Sequence, residues 1–530
     1  MKRHFPLILI LIVAGLLRLV ALDKFPSGLN ADEAAIGYNA YSLLETGRDE
    51  HGVSWPLVFR SFDDYKPPLY FYLVLPFVKV FGLSVWAVRL PNALASILSV
   101  YFIYLLTNLL FKKQILDSRL LTLNSSHIAA AMLATSPWHL QFSRGGWEVN
   151  VSTLFILMGT YFLLRTIDHI KYFYLSDLLF IAAIYTYHSA RIIAPLLFLS
   201  FTLTYLRTIK FKTNVKHLLL VGATSLILLT PVGFQMLSKE GQSRFSGVSI
   251  FADTGPLSWV HEMRRTDPNP DSLITKIKYN RYSAYAGKYL INYLSHFSAG
   301  FLFISGDTID RSRVPGFGQS FIILAPFLLL GLYFLLKTNS TSSRFLLSWF
   351  LISPLAAALT FQSPHSLRAE NLVIPLCLIT ALGVSLCLKY RYLLILLSLG
   401  LSFQFSQYLY SYYYRYPREL PVAWEYGFDQ VASYVSVNQA KYDKIIISDR
   451  YDQPYILMAF FLHYPPQLLQ KELIMTPRDN FGFSTVRQFG KYEFRKIIYD
   501  EDKYLPGTLL VVADEYLPSD KIIYNINSPA

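Results

Sequence analysis

The feature that most constrains this chain is its succession of apolar runs. A membrane span needs about 17–25 predominantly apolar residues. Candidate spans lie at 5–22, 87–111, 126–143, 149–165, 174–188, 191–206, 217–236, 318–336, 345–361, 371–388 and 392–411. The runs 174–188 and 191–206 follow one another closely and are also compatible with one hairpin that does not fully cross. A further run, 67–83, is interrupted by Pro76 and Lys79. Across the 530 residues, hydrophobic types make up 53% and charged types only 16%, against about a quarter charged in soluble domains. Mean hydropathy is +0.34. A soluble globule cannot hide that much apolar surface, so the expected fold class is an α-helical polytopic membrane protein of about eleven transmembrane helices. Intrinsic disorder, a coiled coil and a small disulfide scaffold are excluded. The two cysteines, Cys377 and Cys387, share one apolar stretch and imply no disulfide framework.

The net charge of +13 is explained by orientation. If the chain starts inside and 67–83 lies in the interface, six short segments face the cytoplasm: 1–4, 112–125, 165–174, 207–217, 337–344 and 389–391. They hold fifteen of the 48 basic residues and only two acids, Asp117 and Asp168, so the remainder of the chain is neutral. Basic residues concentrate in cytoplasmic loops, and a spanning 67–83 would turn every later basic loop outward. The basicity therefore implies no nucleic-acid partner. Residues 1–22 have the basic start and apolar core of a signal peptide. Arg18 interrupts the run and no small-residue cleavage site follows, so an uncleaved first helix is expected. The expectation is a multi-pass protein of the plasma membrane with a cytoplasmic N-terminus.

Residues 1–411 then form the membrane module, with large outer loops at 23–86 and 237–317, and 412–530 form a small extracytoplasmic soluble α/β domain. In that tail, β-branched runs at 444–448, 495–499, 508–513 and 521–526 read as strands, and 428–437 has helical spacing of Phe428, Val431, Ala432 and Val435. The tail shows no phosphate loop, metal-ligand spacing or nucleophile motif, which favours a scaffold or acceptor-docking module.

Chemistry-bearing residues gather in the outer segments. Asn30 is placed to cap a helix whose first turn holds Asp32 and Glu33, with Ile36, Ala40, Leu43 and Leu44 on one face and Gly47 as C-cap. That face suggests a helix lying on the membrane surface. Capping alone also accounts for acids there. In YKPPLYFY (65–72), Pro67 and Pro68 can open an interfacial helix, which sets Lys66 at the membrane surface, as a phosphate contact or a snorkelling lysine. Three short outer turns add Arg144 and Glu148, His188 and Arg191, and His365, Arg368 and Glu370. Positive groups beside a carboxylate at headgroup depth suit a phosphate-bearing lipid substrate.

In order and placement these residues resemble the GT-C glycosyltransferases that use polyprenyl-phosphate sugars, in the branch of protein O-mannosyltransferases and lipid A aminoarabinose transferases. The matching pieces are the Asp32-Glu33 pair, KPPLYFY, FGLSVWAVRLPNALAS (81–96), ATSPWHLQFSRGGWEVN (134–150) and the PHSLR turn, so the resemblance covers roughly 5–390. It implies Asp32 as catalytic carboxylate with Glu33 completing the pair, and Lys66 touching the donor phosphate. Arg144, Glu148, His188, Arg191, His365 and Arg368 are expected substrate-binding groups, the last four by topology. The implied partners are a polyprenyl-phosphate-linked sugar donor, a lipid, glycan or protein acceptor, and membrane lipids. No metal site or cofactor is expected from ligand spacing, although an Asp-Glu pair leaves a divalent ion open. The rival reading is a transporter or flippase for a lipid-linked sugar, which calls for charges near the middle of spans. Apart from Arg18, near the outer end of the first helix, few are evident, and charges cluster instead at one interface. A receptor-like protein would leave 23–86 unexplained.

Overall fold

The computed structural model describes every residue except 1–4, 63, 112–118, 206–214, 239–240, 242–246, 478–483, 528 and 530, and omits the side chains of 119–123. The basic segment 1–4, half of 112–125 and most of 207–217 thus lie outside the described residues.

The chain divides into two compact units. One comprises 1–14, 96–141 and 149–408 and is built from apolar helices. Within it the helix Val373–Leu386 is buried almost throughout and packs on Arg119–Thr135 and Ala325–Thr338. Gly383 and Gly331 allow this, since a Cβ on either would collide with backbone of the facing helix. Three described helices are long and apolar enough to cross a membrane: Val85–Phe111, Val215–Leu237 and Arg391–Glu419. A fourth arises if the bent pair Pro137–Ser143 and Glu148–Arg165 counts as one span. Two expected spans are broken. The run 126–143 divides at Ser136, where Pro137 opens a new short helix. The run 345–361 divides before Leu355, with Pro354 at the break.

The second unit comprises 15–95, 142–148 and 409–530. The helix Phe5–Leu19 (α1) leads into a loop ending at Asn30. The helix Ala31–Thr46 (α2) follows, with the expected caps at both ends. The Asn30 side chain accepts from Glu33 N, and Gly47 ends the helix at φ 68°, a left-handed conformation that glycine adopts without a Cβ penalty. Strands Phe59–Ser61 (β1) and Asp64–Lys66 (β2) form an antiparallel hairpin in which Phe59 faces Lys66. The helix Leu69–Phe81 (α3) starts directly after Pro68, as the double proline foretold. The helix Val85–Phe111 (α4) comes next.

The tail carries a five-stranded sheet. Strand β3 (Lys444–Ile447) lies parallel to β6 (Tyr492–Phe494) on one side and to β7 (Thr508–Val511) on the other. Strands β4 (Ile474–Met475) and β5 (Val486–Phe489) extend the β6 edge antiparallel. The expected strands at 444–448 and 508–513 and the helix at 428–437 are present. Those at 495–499 and 521–526 are not. Arg495 is held by Asp502, whose carboxylate also accepts from Ile498 N, so the segment turns into a short helix. Ile522, Ile523 and Tyr524 are exposed and unpaired in any strand.

Helix α2 departs from the expected surface helix. Ile36, Ala40 and Leu43 are buried, but so are Ala34, Ala35, Gly37, Tyr38 and Asn39. Helix α3 covers one side, and the tail helices Pro454–Phe461 and Pro466–Glu472 cover others. Tyr38 donates to the Tyr464 carbonyl at 2.7 Å. Gln470 reaches Ser42 and Thr46 hydroxyls at 3.1 Å and the Asp49 carbonyl at 2.8 Å. The tail thus braces α2.

Candidate active site

The first turn of α2 supplies two carboxylates with opposite surroundings. Glu33 is fully buried and occupies the N3 position of a capping box, accepting from Asn30 N at 3.2 Å and Asn30 Nδ2 at 3.1 Å. Arg89 clamps it in a two-point pair, Nε to Oε1 at 2.8 Å and Nη2 to Oε2 at 3.1 Å. Gly146 N donates to Oε1 at 2.7 Å. A Cβ at Gly146 would lie 3.2 Å from Glu33 Cγ and 3.0 Å from Val88, which explains the second glycine of RGGWE. Both Glu33 oxygens are engaged, so the residue fixes three chain segments to one another.

Asp32, one residue earlier, points to a different place. Its carboxylate pairs with Lys66 Nζ, and its side chain stays 31% exposed while that of Lys66 is only 7% exposed. The end of β2 aims Lys66, and the double proline that follows stops the strand there. Burial pulls the Lys66 ammonium toward its neutral form, but Asp32, Glu148 and Asp64 together more than reverse this and raise its pKa. Lys66 is therefore a fixed positive charge among three carboxylates, and its ammonium lies 5.7 Å from the Phe62 ring centroid. Glu148 opens the helix Glu148–Arg165 and is buried. Asp32, Lys66 and Glu148 are thus brought together as the sequence motifs imply. Among the described residues no three His, Cys, Asp or Glu side chains are grouped to hold a metal ion.

Arg144 has a different task from the expected phosphate contact. It is 1% exposed and donates to the carbonyls of Leu17, Val20, Ala21 and Phe25 at 2.7, 2.9, 3.1 and 3.2 Å. It also lies over the rings of Tyr412 and Tyr413. Leu17 lies in the last turn of α1 and Val20, Ala21 and Phe25 in the loop after it, so the guanidinium ties the end of that helix to the loop that follows.

The remaining expected site residues belong to the other unit and form two groups. His188 and Arg191 sit in the turn between Tyr172–Thr186 and Ala190–Tyr205, and Arg191 donates to Gln235 Oε1 at 2.8 Å. His365 and Arg368 lie in the turn before Glu370. There Asp307 accepts from Ser366 N and Oγ at 2.6 Å each, and His365 Nδ1 lies 3.8 Å from the same carboxylate. His365 N donates to His296 Nε2 at 3.1 Å. Burial, helped by Arg368 and His296, lowers the His365 pKa far below its usual value. His365 can thus offer a neutral ring nitrogen but no cation.

Sequence reasoning missed Arg89, Asp64 and Asp307. Arg89 carried a readable signal: it is a charge inside an apolar run, and such a charge must find a partner. Asp307 carried none, since its partners are some 60 residues away in the chain.

The family model described as dolichyl-phosphate-mannose-protein mannosyltransferase matches residues 65–234. That range contains Lys66, Arg89, Arg144 and Glu148 but starts after Asp32. No curated protein matches the sequence. Among solved structures, the oligosaccharyltransferase AglB of Archaeoglobus fulgidus, with an inhibitory peptide and a dolichol-phosphate, aligns with TM-score 0.50 and 13% identity over 87% of this chain and 64% of that one. The same enzyme with zinc and sulfate gives TM-score 0.52 and 15% identity over 86% and 61%. ArnT of Cupriavidus metallidurans bound to undecaprenyl phosphate gives TM-score 0.47 and 13% identity over 88% and 77%. This chain thus spans less than two thirds of the archaeal enzyme's length. The likeness to that enzyme shows a shared fold and nothing further.

Proposed function

We propose that this chain is an integral membrane glycosyltransferase that moves a sugar, a hexose or a pentose, from a polyprenyl-phosphate donor to an extracytoplasmic hydroxyl with inversion. The acceptor is a lipid, a cell-envelope glycan or a protein. The observation that carries the reading is the Asp32–Lys66 pair: a buried, permanently charged lysine beside a carboxylate that remains partly open.

The donor phosphate binds at Lys66 and draws the ammonium from Asp32. An ammonium in contact with a carboxylate favours the ionised form, so its departure leaves Asp32 better able to take a proton. Asp32 then removes the acceptor hydroxyl proton as that oxygen attacks the anomeric carbon. The bond from that carbon to the phosphate oxygen breaks, and the phosphate keeps the electron pair. One base on the face opposite the leaving group gives a single inverting displacement. Glu33 acts as a positioning residue, since the clamp from Arg89 holds the turn that presents Asp32. Residues 1–411 form the membrane module, with about eleven spans and a cytoplasmic N-terminus. Helix α3 then lies in the interface, because a spanning 67–83 would turn every later basic loop outward. The tail 412–530 is an extracytoplasmic brace.

Asp32→Asn tests the chemistry. Sugar release from a polyprenyl-phosphate donor should fall at least about a hundredfold, the low end for a positioned general base, while native mass spectrometry still shows polyprenyl phosphate bound. Lys66→Ala should weaken that binding. Near-normal turnover by Asp32→Asn would move the base elsewhere. A cytoplasm-dependent reporter fused after Ala530 should be silent; a strong signal would overturn the topology.

A further inference from the structure

The loop 237–317 contains a helix, Arg281–Ser295, whose two sides differ sharply. One side is tied to its own unit. Ala284 and Asn292 are buried, Asn292 Nδ2 donates to the Thr360 carbonyl at 3.0 Å, and the Tyr285 and Tyr293 hydroxyls donate to the carbonyls of Asp253 and Leu351. The other side is an apolar stripe at i, i+4 spacing. Tyr282 is 72% exposed, Leu290 55%, Ile291 68% and Leu294 56%. Just before it, Leu273, Ile274 and Ile277 are strongly exposed as well. Lys276, Lys278 and Arg281 flank this surface. Phe251, Leu257, Arg281, Tyr282, Tyr285 and Tyr289 line a cavity of about 710 Å³ beside it.

Water is a poor neighbour for that stripe, and two observations name a better one. The chain enters this loop from Val215–Leu237, where Leu226, Ile227, Phe234 and Leu237 are all strongly exposed. It leaves through Ala325–Thr338, where Leu329, Tyr333 and Leu336 are exposed as well. Both flanking helices therefore present their outer faces to lipid, so the loop begins and ends at the membrane surface. An apolar stripe bordered by lysine and arginine is the pattern of a helix lying at headgroup depth, with its cations against lipid phosphates. We propose that Arg281–Ser295 is an interfacial helix, with Tyr282, Leu290, Ile291 and Leu294 among the lipid chains and Lys276, Lys278 and Arg281 against anionic headgroups. It anchors the large loop to the bilayer by its free face and to the protein by its tyrosines.

The test uses the full-length chain in nanodiscs of phosphatidylcholine and phosphatidylglycerol. In a background carrying Cys377→Ala and Cys387→Ala, an environment-sensitive dye is placed at Ile291→Cys and, as a wet control, at Asp271→Cys. A nitroxide near the headgroup end of the lipid chain should quench the dye at 291 at least about twofold more than at 271, with the order reversed for aqueous iodide. Independently, a benzophenone amino acid at Leu294, with both native cysteines retained, should crosslink to lipid. Equal iodide access at both positions would overturn the proposal. So would a dye at 291 shielded from lipid nitroxide and iodide alike, because a protein surface would then cover the stripe.

Discussion

Asp32 and Glu33 are neighbours in the first turn of one helix, yet the two ion pairs they form have little in common. Glu33 meets Arg89 in two-point contact, accepts from three further donors and sees no water. Asp32 meets Lys66, a single-point cation on a flexible stem, and stays partly open. A guanidinium suits a permanent clamp because its fork is rigid and always charged. An ammonium suits a partner that can be exchanged, because it rotates and can turn to another anion. Adjacent acids in one helix turn are thus divided by their surroundings into one that is sealed and one that stays partly open.

The largest expected effect comes from breaking the clamp. Glu33→Ala or Arg89→Ala strands a buried charge and should cost about 3–5 kcal/mol, seen as a steep drop in the unfolding temperature of the purified protein. The paired substitution should recover part of the loss. Asp32→Asn takes one of three carboxylates from Lys66 and should lower that temperature less than either clamp variant, while turnover falls. If the two acids swap behaviour, the division of labour is wrong.

Glu50 sharpens the comparison as a buried carboxylate held mainly by neutral groups, Asn39 at 3.0 Å and Tyr455 at 3.3 Å. Burial pushes its pKa up to about 8. Between about pH 4.5 and 8 the folded chain then holds a proton that the unfolded chain has released. Stability should fall as pH rises through that window, by at most about 1.4 kcal/mol per unit. Glu50→Gln should flatten the slope, measured as unfolding midpoint against pH. An unchanged slope would show that another group sets it. The smallest effect is expected at Gly47→Ala. Its φ of 68° puts a Cβ in the left-handed region at roughly 1–2 kcal/mol, with turnover retained, because that cap lies four turns from Asp32.

Much of the fold was legible because its signals are local. Apolar run length placed most of the helices, Asn30 and Gly47 bounded α2, and the double proline placed the start of α3. The errors lay where proline divides an apolar run, as before Pro137 and at Pro354, and in the tail, where β-branched runs at 495–499 and 521–526 read as strands. Hydrophobic propensity cannot tell a paired strand from an exposed strap without knowing what lies alongside. Of the candidate site, Asp32, Lys66 and Glu148 were legible as a motif and the structure brings them together. Arg144 was legible as a charge in an outer turn, but its role was not. Four carbonyls in the last turn of α1 and the loop after it, more than 100 residues earlier, hold its guanidinium.

The sequence by itself determined that this chain is apolar and helical, where α2 begins and ends, and that Asp32 and Glu33 stand in its first turn. These follow from composition and from contacts within a few residues. Only the tertiary structure decided that Glu33 is sealed by Arg89, that Asp32 shares a lysine with Glu148 and Asp64, and that the tail braces α2. The physical reason is that a carboxylate's role depends on its solvation and on the cation it meets, and both come from segments distant in sequence.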